Sequence, residues 1–156
     1  KVLEYNCRMG DPETQNLMLT LENKNIDLLD MILNNPATNI QDLNITDLDQ
    51  ENNGYCCTIV LAANGYPGAY EKNFYIDTSD VKENLRIKIF HAGTMLDGNK
   101  VCAIGGRILT INVFAEDKEK AVNIAYANIK KIRIFEDKDM SIENNNLVFF
   151  RKDIGN

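Results

Sequence analysis

The chain has 156 residues, 44% hydrophobic and 26% charged, and its 17 basic and 23 acidic side chains give a formal net charge of −6. That length fits one ordinary domain, or one small domain carrying a piece of another. The acidic balance argues against nucleic-acid partners and anionic membrane surfaces, and no apolar run approaches the roughly 20 residues that span a bilayer.

Val2-Leu3-Glu4-Tyr5-Asn6 reads as a strand, closed by Gly10-Asp11-Pro12. It is no signal peptide, because an acid and an amide interrupt its apolar stretch. With no initiator Met before it, this opening is what an excised or proteolysed fragment would show. From Glu13 to Leu33 the spacing is helical, with Leu17, Leu21, Leu28 and Ile32 able to share one face. The polar run Glu22-Asn23-Lys24-Asn25 divides it into two helices. Residues 34–53 are rich in Asn, Asp, Gln and Thr and read as a linker, so the chain divides into units 1–50 and 51–156.

Cys56 to Ala63 is a strand ending in the tight turn Asn64-Gly65-Tyr66-Pro67-Gly68. Further strands are expected at Leu85–Phe90, Lys100–Ile104 and Arg107–Phe114, with Gly105-Gly106 permitting a reversal between the last two. A helix should run from Asp117 to Ile132 with Val122, Ala125, Ile129 and Ile132 buried, and Lys130, Lys131 and Arg133 as its solvated basic end. The polar stretch 136–146 reads as a mobile loop, and Leu147–Phe150 as a returning strand. Short strands with one substantial helix indicate an α+β fold whose second unit is a small antiparallel or barrel-like domain.

The four cysteines, Cys7, Cys56, Cys57 and Cys102, show no CxxC spacing, and the single His91 is remote from all of them. Reduced thiols in a cytosolic protein account for them better than zinc or disulfides do.

The chemistry concentrates in the first turn of sequence. On an extended segment Glu4, Asn6 and Arg8 project from one face. Glu4 and Asn6 offer the hard oxygen ligands that suit Mg²⁺, which takes few protein ligands and completes its shell with phosphate and water. Arg8 is then placed to bind a transferring phosphoryl group. The competing reading is a half-exposed edge strand with no ligand. Asp11 and Glu13 could orient an amine substrate beside Pro12, or Asp11 could cap the next helix. His91 could act as a general base, although a hydrogen bond that orders its own loop is the simpler role. Arg107 could reach a sugar phosphate past Gly105-Gly106, or form a structural salt bridge.

The run Glu4-Tyr5-Asn6-Cys7-Arg8-Met9-Gly10-Asp11-Pro12-Glu13-Thr14-Gln15 resembles the late metal-binding motif of ATP-grasp enzymes, in the version found in the phosphoribosylamine–glycine ligase (glycinamide ribonucleotide synthetase) family. Ala62-Ala63-Asn64-Gly65-Tyr66-Pro67-Gly68, His91-Ala92-Gly93-Thr94, Gly105-Gly106-Arg107-Ile108-Leu109, Ala125-Tyr126 and Arg151-Lys152-Asp153-Ile154-Gly155 fit the same family in the same order. The resemblance covers nearly the whole chain. It implies that residues 1–50 are the C-terminal segment of an ATP-grasp domain, that Glu4 and Asn6 are Mg²⁺ (or Mn²⁺) ligands, and that Arg8 is catalytic.

The implied reaction is ADP-forming ligation of glycine to 5-phosphoribosylamine through glycyl phosphate, with ATP as co-substrate, in a cytoplasmic, monomeric enzyme of purine biosynthesis. Asp11, Pro12, Glu13, His91 and Arg107 are the candidate substrate-binding residues. Met9 replaces an expected Phe or Leu, and the 136–146 stretch looks like an insertion. The family's other metal-ligating Glu and its nucleotide-binding lysines would belong to a remainder upstream of Lys1, so the segment as given is not expected to turn over alone. Another ATP-grasp ligase or carboxylase subunit, or a non-catalytic acidic binding domain, are the competing identities.

Overall fold

The computed structural model describes residues 1, 2, 5, 7–34 and 54–155. The expected strand at residues 2–6, and with it Glu4 and Asn6, falls largely outside them.

Two helices open the described chain. Helix α1 spans Glu13–Asn23 and α2 spans Leu28–Asn34. The break lies where the polar run put it: Asn25 takes a left-handed φ of 54°, a conformation its short side chain tolerates. Asp27 then caps α2 by accepting from the amides of Leu29 (2.8 Å) and Asp30 (3.1 Å). The apolar stripe of α1 is a correction. Its one buried residue is Leu19, while Leu17 on the expected face is exposed.

Eight strands and a third helix follow: β1 (Tyr55–Ala63), β2 (Phe74–Asp77), β3 (Ile87–His91), β4 (Thr94–Asp97), β5 (Lys100–Ala103), β6 (Arg107–Ala115), α3 (Lys118–Ile129), β7 (Arg133–Phe135) and β8 (Val148–Phe149). They form two four-stranded sheets, ordered β3-β6-β1-β8 and β4-β5-β2-β7, with antiparallel pairing throughout. The chain is α+β with antiparallel sheets and one main helix after the first two.

Strand alternation divides the first sheet into two chemically different faces. Cys57, Ile59, Leu61 and Ala63 of β1 and Leu109, Ile111, Val113 and Ala115 of β6 enter one apolar cluster, joined by Ala121, Ala125 and Ile129 of α3 and by Phe74, Ile76 and Ile134 of the second sheet. The opposite face carries a polar seam, and α1 packs against β1 and β6 there. Asn16 donates to the Cys56 carbonyl (3.1 Å) and to Thr58 Oγ1 (3.3 Å). Thr58 donates to Asn112 Oδ1 (2.7 Å), and Asn112, fully buried, donates to Thr110 Oγ1 (2.7 Å). At the far end of α1, Asn23 donates to the Leu85 carbonyl (2.8 Å) and Glu22 pairs with Lys88 (3.4 Å).

Adjacent Cys56 and Cys57 fall on opposite faces, and all four cysteines are free. Burial pushes the Cys56 thiol up to about 11, so it is a poor nucleophile.

Helix α3 starts at Asp117, whose carboxylate accepts from the Lys120 amide (2.8 Å), and Ala125, Ile129 and Ile132 are buried as expected, with Val122 only half-buried. The basic residues after it are not simply solvated: Arg133 opens β7 and pairs with Asp77.

Residues 136–146 differ from the loop expected. Asp137 accepts from the amides of Ser141 (3.1 Å) and Ile142 (2.9 Å), and the Asn144 amide donates to the Ile134 carbonyl (2.9 Å). Lys138 crosses to Asp97 Oδ1 (2.6 Å), and Tyr75 donates to Asp97 Oδ2 (2.8 Å). The stretch is a hydrogen-bonded turn pinned to the β4–β5 hairpin.

That hydrogen bond to Asp97, with burial and the nearby negative charge adding to it, raises Tyr75 from an ordinary 10.0 to about 12. The folded value lies above the unfolded one, so the contribution to stability is complete below about pH 10 and is lost as pH rises through about 12. Subtracting the alkaline phenolate absorbance titration of Tyr75→Phe from that of the unsubstituted chain should isolate a phenol titrating near 12. Asp97→Asn should move it back down. Titration of Tyr75 at the ordinary tyrosine value would show that the bond does not form.

Candidate functional site

Three glycine-containing segments meet at one end of the first sheet. Gly65 (φ 95°) turns the chain after β1, with the Gly68 amide on the Gly65 carbonyl (2.8 Å) and the Asn64 amide on the Leu147 carbonyl (2.8 Å). This turn delivers the half-buried Tyr66 ring onto Gly106, where an added Cβ would lie 2.0 Å from the ring. Gly93 and Gly105 touch backbone to backbone. The amide of Gly93 donates to the Arg107 carbonyl (2.8 Å), and the Gly93 carbonyl accepts from Ile104 (2.8 Å) and Gly105 (3.0 Å). A Cβ on Gly93 would sit 2.6 Å from both the Arg107 oxygen and Gly105 Cα, so no larger residue fits.

His91 ends β3 at this edge. It is exposed, and its Nδ1 lies 3.0 Å from Thr94 Oγ1, the contact that a loop-ordering role requires. Arg107 begins β6, in register with Ala62 of β1. Its Nη1 donates to the Asp11 carbonyl (2.7 Å), and its Nη2 pairs with Asp11 Oδ2 (3.1 Å). The salt bridge left open by the sequence is therefore present, and its partner is another candidate site residue.

Asp11 does not cap α1, since its Oδ1 accepts instead from Gln15 Nε2 (3.0 Å). Pro12 takes the N-cap position with no side-chain cap, and the first turn is held by the Gly10 carbonyl, which accepts from the Thr14 amide (3.0 Å) and hydroxyl (2.5 Å). The Glu13 carboxylate folds back over Gly10, which has no side chain to obstruct it. Arg8 is exposed, and its Nη1 donates to the adjacent Met9 carbonyl (2.7 Å), leaving the rest of the guanidinium available.

Two hollows flank this edge. One of about 480 Å³ lies beside α1 and is lined by Pro12, Glu13, Asn16, Leu17, Thr20 and Thr58. Another of about 240 Å³ lies beside Arg107, with Tyr66, Val60, Ala62, Phe149 and Arg151 among its walls. Asp11, Pro12, Glu13 and Arg107 are thus gathered together, with Arg8 on the approach and His91 on the same edge of the sheet. Glu4 and Asn6 lie outside the described residues. From the sequence, Tyr66 is expected only as part of a turn. Its packing on Gly106 could be found only by pairing two distant motifs. Among the described residues no group of three or more His, Cys, Asp or Glu side chains could hold a metal ion.

Residues 56–156 match the family model for the phosphoribosylglycinamide synthetase C domain. The chain belongs to this family. It is 36% identical over 159 residues to a phosphoribosylamine–glycine ligase of Fusobacterium nucleatum, a match that covers 99% of this chain and 32% of the relative. A bifunctional purine biosynthetic protein of Pichia angusta is 41% identical over 140 residues, covering 88% of this chain and 16% of the relative. A crystal structure of phosphoribosylamine–glycine ligase from Thermotoga maritima superposes with a TM-score of 0.62 at 29% identity, covering 93% of this chain and 32% of that one. The chain spans about a third of the length of the first of these relatives. The glycine contacts of the edge, at Gly93, Gly105 and Gly106, all lie within the matched C domain, whereas Arg8, Asp11, Pro12 and Glu13 precede it. The Arg107–Asp11 pair joins the two stretches.

Proposed function

We propose that this chain is part of a phosphoribosylamine–glycine ligase, which joins glycine to 5-phosphoribosylamine with conversion of ATP to ADP and phosphate. The observation that carries the reading is the match over 99% of the chain to a ligase of that name. Residues 1–50 would belong to an ATP-grasp domain and 51–156 to the C domain. The exposed apolar side chains of the first stretch, Val2, Tyr5, Met9, Leu17, Leu29 and Leu33, support this, because a face covered by the remainder of a longer protein would leave them so.

A carboxylate resists attack by an amine, and its phosphorylation to glycyl phosphate supplies a leaving group. In this reading the Arg8 guanidinium binds the oxygens of the group in transfer and offsets the charge developing there. The donor set fits Mg²⁺ or Mn²⁺: Glu4 and Asn6 are two hard oxygen ligands, the small number such an ion takes from protein when phosphates complete its shell. When bound, the ion would neutralise phosphate charge. Asp11, Pro12, Glu13, His91 and Arg107 border the edge on which glycine and the sugar phosphate would be received, Arg107 and Asp11 as a pair.

The test is ADP release by the full-length protein. It should require both glycine and 5-phosphoribosylamine. Release that is independent of glycine, or that proceeds with bicarbonate or another acceptor in place of the amine, would overturn the assignment.

A further inference from the structure

We infer that Arg107 is a positioning residue, whose two-point hold on Asp11 fixes the Arg8–Glu13 segment, and hence the Arg8 guanidinium, against the glycine-packed edge of the sheet. The inference rests on the ligase reading for what Arg8 does, but its geometry does not. Among the described residues, no other hydrogen bond or ion pair links residues 1–12 to anything beyond α1. Among the described residues the hold is therefore the single polar tie between the approach segment and the sheet.

Its base is rigid. The Arg107 carbonyl accepts from Gly93, Ala62 pairs with Arg107 across the ladder, and Gly106 beside it lies under the Tyr66 ring. The tie is also directional. One guanidinium nitrogen takes the backbone carbonyl of Asp11 and another takes its carboxylate, so both position and orientation are set, which an ammonium group could not reproduce. Arg8 lies three residues upstream of Asp11, with only its local contact to Met9 to hold it. Releasing Asp11 from Arg107 leaves the described approach tied to the first turn of α1 but not to the sheet.

The experiment uses the full-length protein, with Arg107→Met, Arg107→Lys, Asp11→Asn and the Arg107→Met/Asp11→Asn double variant. A displacement of the order of 1 Å at a reacting group costs about 10²-fold. Arg107→Met should therefore lower kcat by about 10- to 100-fold, with KM for phosphoribosylamine little changed, and Asp11→Asn, which keeps the bond to the backbone carbonyl, should lower it less. The double variant should be no worse than Arg107→Met, because that substitution already removes both points of the tie. Arg107→Lys, which keeps the charge and loses the fork, should recover only part of the rate.

A rise in KM for phosphoribosylamine with kcat retained would show direct substrate contact and overturn the positioning role. So would losses that multiply in the double variant, or wild-type kinetics throughout. Amide hydrogen exchange at Thr14 and Asn16, whose amides donate to the Gly10 and Pro12 carbonyls, provides a readout that needs no assumed activity: Arg107→Met should accelerate it, and unchanged exchange would overturn the hold itself. Wild-type protein that fails to use glycine and phosphoribosylamine, while the variant still accelerates exchange, would overturn the ligase reading and leave the hold standing.

Discussion

Full-length protein carrying Arg8→Met should release ADP about 10²- to 10³-fold more slowly than the unsubstituted protein, the loss seen when one donor to a developing charge is removed. The folded state should be nearly unaffected. Arg8 is exposed and its hydrogen bond goes to the neighbouring Met9 carbonyl, so the substitution leaves no buried partner behind and should stay within about ±0.5 kcal/mol. Glu4→Ala is expected to act in the same direction by weakening metal retention, a loss that excess Mg²⁺ should partly recover. Excess metal should do nothing for Arg8→Met. That difference separates a metal ligand from a group acting on the phosphoryl oxygens. Wild-type turnover by both variants would remove the chemical role assigned to the opening segment.

Ile111→Ala should lower the free energy of unfolding by about 2–5 kcal/mol, as large-to-small core substitutions do. Ile111 is fully buried at the middle of β6, with Ile59 of β1 and Ile89 of β3 directly opposite on its two sides. Strands fix these neighbours in a hydrogen-bonded ladder, which leaves little freedom to collapse into the space vacated. Against a typical total of about 5–15 kcal/mol, such a loss is easily seen in urea unfolding followed by circular dichroism. A change below about 1 kcal/mol would mean that the core closes over the gap.

Among the described residues the long strands and the three α-helices were legible because their signals are dense. β1 and β6 each run for nine residues, and α3 opens with an acid that caps it. β2, β4 and β7 are three or four residues long and were missed, whereas the equally short β5 and β8 were marked by a following Gly-Gly pair and by an apolar run. β4 begins at Thr94, where the glycine-containing loop of His91 ends, and β7 begins with an Arg that the sequence assigns to the end of a helix. The error in α1 has a different origin. A search for an apolar stripe assumes an apolar partner, but the face beneath α1 offers Thr58, Thr110 and Asn112. The helix therefore turns Asn16 and Leu19 inward and leaves Leu17 out. Asp137 shows the same limit, because a polar stretch reads as a loop whether or not one carboxylate gathers three of its groups. Of the candidate site, the residue types were legible. That Arg107 holds Asp11, 96 positions away in sequence, needed the fold.

Grease alone would let a short helix creep along its bed, since one methyl group substitutes readily for the next. Under α1 the bed is notched. Shift the helix by a turn in either direction and Asn16 leaves both the Cys56 carbonyl and Thr58 Oγ1. Each such hydrogen bond lost costs about 0.5–1.5 kcal/mol, so the register next door is disfavoured. The reading frame of the whole N-terminal approach is set by a few amides and hydroxyls beneath it.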